Sequence, residues 1–519
     1  MGMCRGLNCG VRGSFKQEIE ENAQKEQEQE GVFQKRNNPI FIRITLEFLL
    51  ILKENMQKVD ILQKKYPEFV YKNYSWKIVN RDFNISFNFL IKPNIKFSPK
   101  IVIKNVSSKQ IKKVGDRVLN NLVFNLGLIE LLSYWKATCS PKIIIEAGFL
   151  NKEQINWWKD LINNGMSQFF YENKINFTNK NFLNIINGKK ELKSETYQRK
   201  FKNHILVPIG GGKDSIVTLE ILKKAKKEIS CFSLNLSDLA RQIIRVSGCK
   251  KMIIVERKLD KKLIELNQKD FLNGHTPFSA YLAFLSVILA VIFDKKYISF
   301  SNERSSNEGN VRYLGRVINH QYSKSFDFEQ KFRKYSKKYL AKNAEYFSFL
   351  RPLYEIQIAK LFLRYPKYFD IFLSCNEAMK TYSGTKKPAR KWCGKCPKCL
   401  FAFMIFYPFI KKEKLIKIFN KNLLDKKELL PLMLELIGER KFKPFECVGT
   451  KKESLSALYL DWEKEGKRKA MPLLLKYFET NILPKHRNLK KESENIMNSW
   501  NNQNNLAKQF KRLLRPINY

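Results

Sequence analysis

One short stretch, HILVPIGGGKDSIVTLEILKK at residues 204–224, constrains the fold of this chain more than any other. A run of apolar residues ends at three glycines, and a pattern typical of an amphipathic helix begins at about Ser215. Glycines let a backbone approach a ligand closely, and the free N–H groups at a helix start attract anions. The stretch therefore predicts a strand, a phosphate-binding loop and a helix in succession.

Short apolar strands alternate with helical stretches from residue 204 onward. HILVPI, EISCFSLNL, KMIIVERK and KYISFSN each have the length and apolar content of a buried strand. Such strands separated by helices are typical of a parallel sheet covered on both faces. We therefore predict an α/β fold with a doubly wound, Rossmann-like parallel sheet over residues 200–410.

Three further segments flank the predicted α/β domain. Residues 1–40 are almost purely polar, so burial cannot offset their chain entropy and we expect a disordered extension. Residues 41–195 combine helical patterns with the alternating strand RDFNISFNFLIKP and predict an N-terminal α+β domain. Residues 411–519 include FIKKEKLIKIF and KELLPLMLELIGE and predict a helical C-terminal region.

The chain carries a large positive charge, with 96 Lys and Arg residues against 49 Asp and Glu residues and a net charge of +47. Such an excess can indicate a nucleic-acid partner when the cations cluster on one face or segment. Here lysine is spread along the whole chain beside many Asn and Ile residues, which is typical of a base-composition bias in the coding DNA. We therefore expect no nucleic-acid partner.

The most membrane-like run of the sequence is FSAYLAFLSVILAVIF at residues 278–293. It falls short of the roughly 20 apolar residues that a span needs, and it contains two serines and a tyrosine. We predict a helix buried against the sheet and no stable membrane insertion. Because the start of the chain lacks the apolar core of a secretion signal, we expect a cytoplasmic protein.

Four of the ten cysteines lie close together in CNEAMKTYSGTKKPARKWCGKCPKC. Two overlapping C-x-x-C hooks and a fourth thiol suit tetrahedral Zn²⁺ in a closed structural site, with an iron–sulfur cluster as the alternative. In a chain without an export signal, free thiols and a metal site are favoured over disulfides. The predicted zinc ligands are Cys375, Cys393, Cys396 and Cys399.

The glycine loop does not follow the nucleoside-triphosphatase pattern, because Asp214 and not Ser or Thr follows Lys213. GGGKDS instead resembles the S-G-G-x-D-S loop of the PP-loop ATP pyrophosphatases, with Gly210 in place of the first serine. In those proteins the loop binds ATP as AMP and pyrophosphate are formed. The resemblance implies that Lys213 neutralises the pyrophosphate and that Asp214 helps to place Mg²⁺. The implied ATP-binding residues are Gly210, Gly211, Gly212, Lys213, Asp214 and Ser215.

A second polar segment, SFSNERSSNEGNVRYLGRVINHQYSKSFDFE, follows the fourth predicted strand. Glu303, Arg304 and His320 lie in this segment, at the end of a strand where a doubly wound fold places active-site residues. A solvated polar loop is the alternative. We take these three side chains as candidate site residues.

Further motifs narrow the resemblance to one family. YFSFLRPLYEIQI, WCGKCPKCLFAF and KPFECVGT, with the two segments above, are similar to the ATP-dependent UDP-N-acetylmuramoyl-L-alanyl-L-glutamate epimerases of bacterial cell-wall synthesis. The likeness covers about residues 200–455 and, more loosely, the domain before them. It implies an isomerase of peptidoglycan precursor synthesis whose partner is a nucleotide-sugar dipeptide. The terminal L-glutamate would become D-glutamate while ATP gives AMP and diphosphate.

The implied chemistry follows from the weak acidity of a hydrogen beside an ionised carboxylate, where a carbanion would put two negative charges side by side. An acyl-adenylate is neutral at its carbonyl and can delocalise the carbanion, so an ordinary base can remove the proton and return it on the other face. His320 and Cys447, the latter in KPFECVGT, are the candidate proton carriers.

Two other classes of PP-loop enzyme remain as alternatives. Enzymes that thiolate transfer RNA and the cyanodeazaguanine synthases also combine this loop with cysteine hooks, and a basic chain would suit RNA. Neither class accounts for KPFECVGT or for the large domain before the loop.

Overall fold

The computed structural model describes residues 58–188, 195–380, 389–466 and 471–515. The extension predicted at residues 1–40 lies outside this part of the chain. Residues 58–65 are helical and lead into the first strand.

The described residues form thirteen strands, numbered here in chain order. They are β1 Glu68–Val79, β2 Asp82–Ile91, β3 Ile95–Phe97, β4 Lys100–Ile103, β5 Lys142–Ile145, β6 Asn184–Asn187, β7 Ile205–Pro208, β8 Ile229–Leu234, β9 Met252–Lys258, β10 Tyr297–Phe300, β11 Val311–Tyr313, β12 Arg316–Ile318 and β13 Glu345–Ser348.

Eleven of these strands form one mixed sheet, in the order β13-β10-β7-β8-β9-β4-β2-β1-β5-β6, with β3 paired to β2. The stretch from β13 to β9 is parallel, and so is the stretch β1-β5-β6. β4 is antiparallel to both β9 and β2, and β2 is antiparallel to β1, so β4 and β2 together join the two stretches. The fold is therefore mixed α/β around a large, mostly parallel sheet.

The α-helices from residue 108 onward are numbered in the same way. They are α1 Ser108–Val114, α2 Asp116–Glu130, α3 Leu132–Trp135, α4 Lys152–Gly165, α5 Ser167–Glu172, α6 Lys213–Lys224, α7 Asp238–Ser247, α8 Lys261–Gln268, α9 Phe278–Ile292, α10 Phe326–Tyr339, α11 Glu355–Phe362, α12 Asn376–Met379, α13 Pro397–Phe406, α14 Lys412–Phe419, α15 Leu430–Ile437, α16 Lys451–Glu465, α17 Leu473–Asn481, α18 Leu489–Asn498 and α19 Lys508–Leu514.

The strands predicted from apolar patterns are present. β7, β8, β9 and β10 correspond to the four predicted strands of the α/β domain. In β2 the residues Phe83, Ile85, Phe87 and Phe89 are buried while their neighbours are partly exposed, as the period of two predicts. Sequence patterns missed β13, a short strand that pairs with β10 at the edge of the sheet. The other strands that they missed are β1, β3, β5, β6, β11 and β12.

The apolar run at residues 278–293 forms α9, and most of its side chains are buried in the main core, as predicted. No helix within the described ranges is long and apolar enough to cross a membrane.

The predicted domain boundaries near residues 195–200 and 410 stay predictions. The pairing of β4 with β9 adds that strands from both sides of the first boundary share one sheet. Within the described parts of residues 411–519 the regular elements are helices, several of which pack around α16.

Candidate active site and cysteine cluster

The glycine loop links β7 to α6, and the helix begins at Lys213 and not at about Ser215 as predicted. Gly212 is its N-cap and offers no side chain to cap the first N–H groups. Gly211 has φ +110°, a conformation that strains residues with a side chain. Its carbonyl accepts a 3.0 Å hydrogen bond from Leu373 N, so the loop is tied to the segment that leads into Cys375.

Three neighbouring parallel strands, β13, β10 and β7, deliver charged side chains to one edge of the sheet. Lys213 follows β7, Glu303 follows β10 and Glu355 follows β13, and all three are buried. Because the carboxyl ends of parallel strands meet at the same edge, residues far apart in sequence come together here.

Glu355 is the centre of a buried network of charges. Its carboxylate contacts the ammonium of Lys213 and lies 3.3 Å from that of Lys398. Lys213 Nζ is also 2.5 Å from Asp214 Oδ1. Burial alone would raise the pKa of Glu355, but Lys213 and Lys398 outweigh it and lower this pKa to about 2. The network is therefore ionised at neutral pH, and each charge depends on its partners.

Asp214 stands at the open side of this network. Its side chain is 27% exposed, and the described hydrogen bond to Lys213 uses only Oδ1. The hydroxyl of Ser215 donates to the Gly212 carbonyl at 3.1 Å, and a side chain at Gly210 would meet open space. The loop thus keeps one carboxylate oxygen without a described partner and a helix start without a side-chain cap.

Lys398 connects the network to the loop that carries Cys447. Its backbone N donates to Glu446 Oε2 at 2.8 Å, and its ammonium donates to the carbonyl of Cys447. Two side chains then face the thiol: Lys324 Nζ lies 3.0 Å from Cys447 Sγ and His320 Nε2 lies 3.8 Å from it.

The ring of His320 is fixed by Asn310. The Asn310 side-chain N–H donates to the carbonyl of Pro444 at 2.8 Å, which turns Oδ1 toward His320 Nδ1 at 3.1 Å. This network assigns the proton to Nδ1 and leaves the lone pair of Nε2 directed at Cys447. Burial, followed by Lys324 and other lysines, lowers the pKa of His320 to about 3, so the imidazole is neutral at pH 7.

Two buried glutamates nearby have similar acidity but different surroundings. Burial and the charge of Glu355 raise the pKa of Glu303 to about 7, and its Oε1 is buried with no hydrogen-bond partner among the described residues. Burial also raises the pKa of Glu453 to about 7. The oxygens of Glu453, however, accept hydrogen bonds from Thr450 N and Ile356 N. Of these two carboxyls, that of Glu303 is the one with an oxygen that has no hydrogen-bond partner among the described residues.

Arg304, which the sequence placed in the site, has other partners. Its guanidinium lies 4.3 Å from the ring centre of Tyr354, and Nη1 is 3.4 Å from Ser499 Oγ. None of its described contacts is with the glycine loop.

Sequence reasoning missed several residues that organise the site. Arg351 is fully buried and donates to the carbonyl of Glu303 at 2.7 Å, which fixes the chain at the start of the polar segment. Lys398 lies inside the second C-x-x-C motif, where the sequence pattern indicated a role only for the cysteines. The other missed residues are Lys324 and Glu355.

The four cysteines predicted as metal ligands come together, and all their sulfur atoms lie within 4.8 Å of one another. The Cys375–Cys396 and Cys393–Cys399 sulfur pairs are 3.8 and 3.7 Å apart. A tetrahedron with Zn–S bonds of about 2.3 Å has edges of about 3.8 Å, so the quartet fits one tetrahedral ion. The backbone N of Ala378 donates to Cys375 Sγ at 3.4 Å, as second contacts of a thiolate ligand do.

The carboxyl edge of the sheet therefore combines a glycine loop, a buried lysine–carboxylate network and a thiol beside a neutral imidazole. Ionisable side chains with shifted pKa values, gathered where strands of an α/β sheet end, are the mark of an enzyme active site. The class defined by this fold and site is an α/β enzyme.

Comparisons with known proteins specify the family. Residues 61–349, more than half of the chain, match the MurL N-terminal domain, and residues 371–492 match the MurL C-terminal domain. The chain belongs to the MurL family.

Two relatives illustrate the extent of the similarity, and both are named UDP-N-acetyl-alpha-D-muramoyl-L-alanyl-L-glutamate epimerase. The protein from Xanthomonas oryzae is 33% identical over 346 residues, which cover 66% of this chain and 75% of the relative. The protein from Salinispora tropica is 37% identical over 265 residues, which cover 51% of this chain and 57% of the relative.

Proposed function

We propose that this protein is the ATP-dependent epimerase that inverts the terminal L-glutamate of UDP-N-acetylmuramoyl-L-alanyl-L-glutamate during peptidoglycan precursor synthesis. The observation that carries the proposal is the convergence of the glycine loop and the Cys447 loop on the Glu355 network. This arrangement supports a reaction in which the glycine loop binds phosphate and Cys447 carries a proton on the same substrate. The names of the relatives supply the substrate.

We further propose that residues 200–410 form the ATP-binding domain. The parallel order β13-β10-β7-β8-β9 with a glycine loop after β7 supports a doubly wound, PP-loop ATP-binding domain. The substrate is a precursor made inside the cell, so the cytoplasm is the place of action.

ATP is proposed to bind with its phosphates against residues 210–215. The start of α6, whose N-cap Gly212 provides no side-chain cap, offers N–H donors and a favourable dipole. Asp214, with Oδ2 unused among the described contacts, would hold Mg²⁺, which neutralises phosphate charge when bound. Lys213 adds positive charge beneath the loop and is kept ionised by Glu355.

Adenylation of a substrate carboxylate removes the obstacle to forming a carbanion at the neighbouring carbon. With the carboxylate converted to a neutral acyl group, loss of the α-hydrogen gives an enolate that spreads the charge onto oxygen. Return of a proton to the opposite face inverts the centre. Hydrolysis then restores the carboxylate and releases AMP.

Cys447 is the proposed proton carrier. His320 is neutral and presents the lone pair of Nε2 to the thiol, so it orients the S–H bond and accepts from it. The ammonium of Lys324 at 3.0 Å stabilises negative charge on the sulfur when the proton has left. His320 and Lys324 therefore act through Cys447.

Glu303 is the proposed partner for the other face of the substrate. A carboxyl with a pKa of about 7 and a free buried oxygen can donate or accept a proton near neutral pH. Arg304 is proposed to bind an anionic part of the substrate, and its position over Tyr354 would have to change for it to reach the glycine loop.

Zinc is the proposed ion of the cysteine quartet. Four thiolates close the coordination shell, so the ion would contribute folding energy and take no part in the reaction. Protein purified without added metal should contain about one zinc per chain, and Cys396→Ser should lose it. A brown protein with a visible charge-transfer band would show an iron–sulfur cluster instead.

The decisive experiment follows the α-hydrogen. Given the L-glutamate substrate, ATP and Mg²⁺ in heavy water, the protein should form the D-glutamate product with deuterium at the α-carbon and release AMP. Omission of ATP should abolish both inversion and exchange, because the free carboxylate blocks the carbanion. AMP formation that requires transfer RNA, or survival of L-glutamate after ATP is consumed, would contradict the proposal.

A further inference from the structure

A cavity of about 850 Å³ lies at the amino ends of β7, β10 and β13. Asn203 before β7, Lys296 directly before β10 and Glu345 at the start of β13 line it. The glycine loop and the Glu355 network lie at the carboxyl ends of these same strands. The cavity is thus separate from the active site and faces the other edge of the sheet.

The charge of this cavity is strongly unbalanced. Glu345 is its one carboxylate, and no ion pair joins any of its cations to an acid within the described residues. Uncompensated cations held close together repel one another, and a bound anion would relieve that repulsion. The six cations are Lys200, Lys296, Arg333, Lys334, Lys337 and Lys342.

The helix α10 carries both paired lysines and lysines that line the cavity. On one face of the helix, Lys331 lies 2.9 Å from Asp160 and 2.7 Å from Asp327, and Lys338 contacts Glu153. Lysines on that face are therefore paired with acids.

On the face of α10 that lines the cavity, the cations have no described acid partner. Arg333, Lys334 and Lys337 all line the cavity, and Lys337 lies three residues after Lys334 and four after Arg333. The guanidinium of Arg333 donates to the carbonyl of Tyr346, and the two lysines have no described partner. What sets these cations apart is their place around one concave space, where six of them face a single carboxylate.

We propose that this cavity binds a compact anion that carries two or more phosphate groups. Its volume lies in the range of small-molecule sites. The cations come from four segments of the chain and surround a concave space, whereas an extended nucleic acid would require a stripe of cations. Lysine ammonium groups bind phosphate as point charges, and Arg333 can add a planar pair of donors.

The test maps ligand protection residue by residue, because ATP is also expected at the glycine loop. The full chain is acetylated with a lysine-specific reagent with and without inorganic tripolyphosphate at constant ionic strength, and the sites are quantified by mass spectrometry. At ten times the dissociation constant, the cavity lysines should react about tenfold more slowly. Lys331 and Lys338 serve as internal controls and should keep their reactivity.

Variants locate the ligand. In Lys334→Gln/Lys337→Gln/Lys342→Gln, protection of Lys200 and Lys296 should disappear, and in the matched control Lys331→Gln/Lys338→Gln it should persist. Uridine and adenosine diphosphates replace tripolyphosphate in parallel samples; tighter protection by a diphosphate would identify a nucleotide as the source of the phosphates. Equal protection of all exposed lysines would show that the anion only screens the surface charge, and this result would overturn the proposal. Tighter binding of single-stranded RNA, with protection beyond the cavity, would overturn it in favour of a nucleic-acid surface.

Discussion

Lysine side chains have opposite surroundings at the two ends of β7, β10 and β13. At the carboxyl ends, Lys213 and Lys398 are buried and each contacts the Glu355 carboxylate. At the amino ends, Lys296 and the other cavity cations have no described acid partner. The same strands thus separate a neutralised interior from a positively charged cavity.

The difference shows which lysines of a basic chain indicate a functional site. Removing an ammonium from water is costly, so a buried lysine must be paired and its partners mark an organised site. An exposed lysine has no such requirement, and only its local surroundings distinguish a ligand site from a composition bias. A net charge of +47 does not separate these cases, whereas pairing does.

The largest expected contrast between the two ends is in stability. Glu355→Ala should destabilise the fold by about 3–5 kcal/mol, because it leaves Lys213 and Lys398 buried without their shared partner. The matched change at the other end, Glu345→Ala, should cost less than about 1 kcal/mol, since it removes a partly exposed carboxylate without a described ion pair. Urea denaturation measures both; equal losses would contradict the distinction.

The next effect concerns the proton and only the carboxyl end. Cys447→Ser should slow deuterium exchange at the α-carbon by about 10²–10³-fold, because a serine hydroxyl is a far poorer proton carrier than a thiol. AMP release should fall less, so the ratio of AMP formed to deuterium incorporated should rise. Cys249→Ser, a change at a half-buried thiol outside the site, is the control and should leave the ratio unchanged. An unchanged ratio in Cys447→Ser would assign the proton to another group.

A pH dependence should follow from Glu303. Its pKa of about 7 lies above the ordinary value, so the protonated carboxyl stabilises the folded state, and this stability is lost as the pH rises from about 4.5 through 7. Glu303→Gln removes the titrating group, and its stability relative to the unmodified protein should rise by about 1–3 kcal/mol over this range. Denaturation at several pH values measures the difference; a constant difference would show that the carboxyl does not titrate there.

The smallest effect concerns salt and only the amino end. Lys334→Gln/Lys337→Gln/Lys342→Gln should raise stability at low ionic strength by about 0.5 kcal/mol by relieving repulsion, and the gain should vanish in high salt. Lys331→Gln/Lys338→Gln should have the opposite sign because these lysines are paired. Thermal unfolding of each variant and of the unmodified protein at low and at high salt measures these changes in stability. A loss of stability in the cavity variant would show that its cations are compensated.

Much of the fold and of the cysteine cluster could be predicted because their signals are local. Apolar runs marked β7 to β10, the alternation of Phe83 to Phe89 marked β2, and the spacing of the cysteine hooks marked the metal quartet. The glycine triplet marked the loop, although the helix starts two residues earlier than its amphipathic pattern suggests.

The centre of the site could not be predicted because it depends on pairing between distant segments. Glu355 reaches Lys213 only because β13 lies beside β10, and the four-residue β13 is too short for a clear pattern. Lys398 and Lys324 are two lysines in a chain rich in lysine. Only burial and contact with Glu355 or Cys447 distinguish them from the others.

The position of Lys398 gives the spacing of the cysteines a second structural role. Lys398 is the second residue of α13 and lies between Cys396 and Cys399, so the spacing that shapes the metal cluster also sets the direction of its ammonium. One inserted residue would turn the side chain by about 100° around the helix axis and away from both Glu355 and the Cys447 carbonyl. The length of the C-x-x-C motif therefore fixes both the positions of the thiols and the direction of Lys398 around the helix axis. During evolution, a change in this length would be selected against for both reasons.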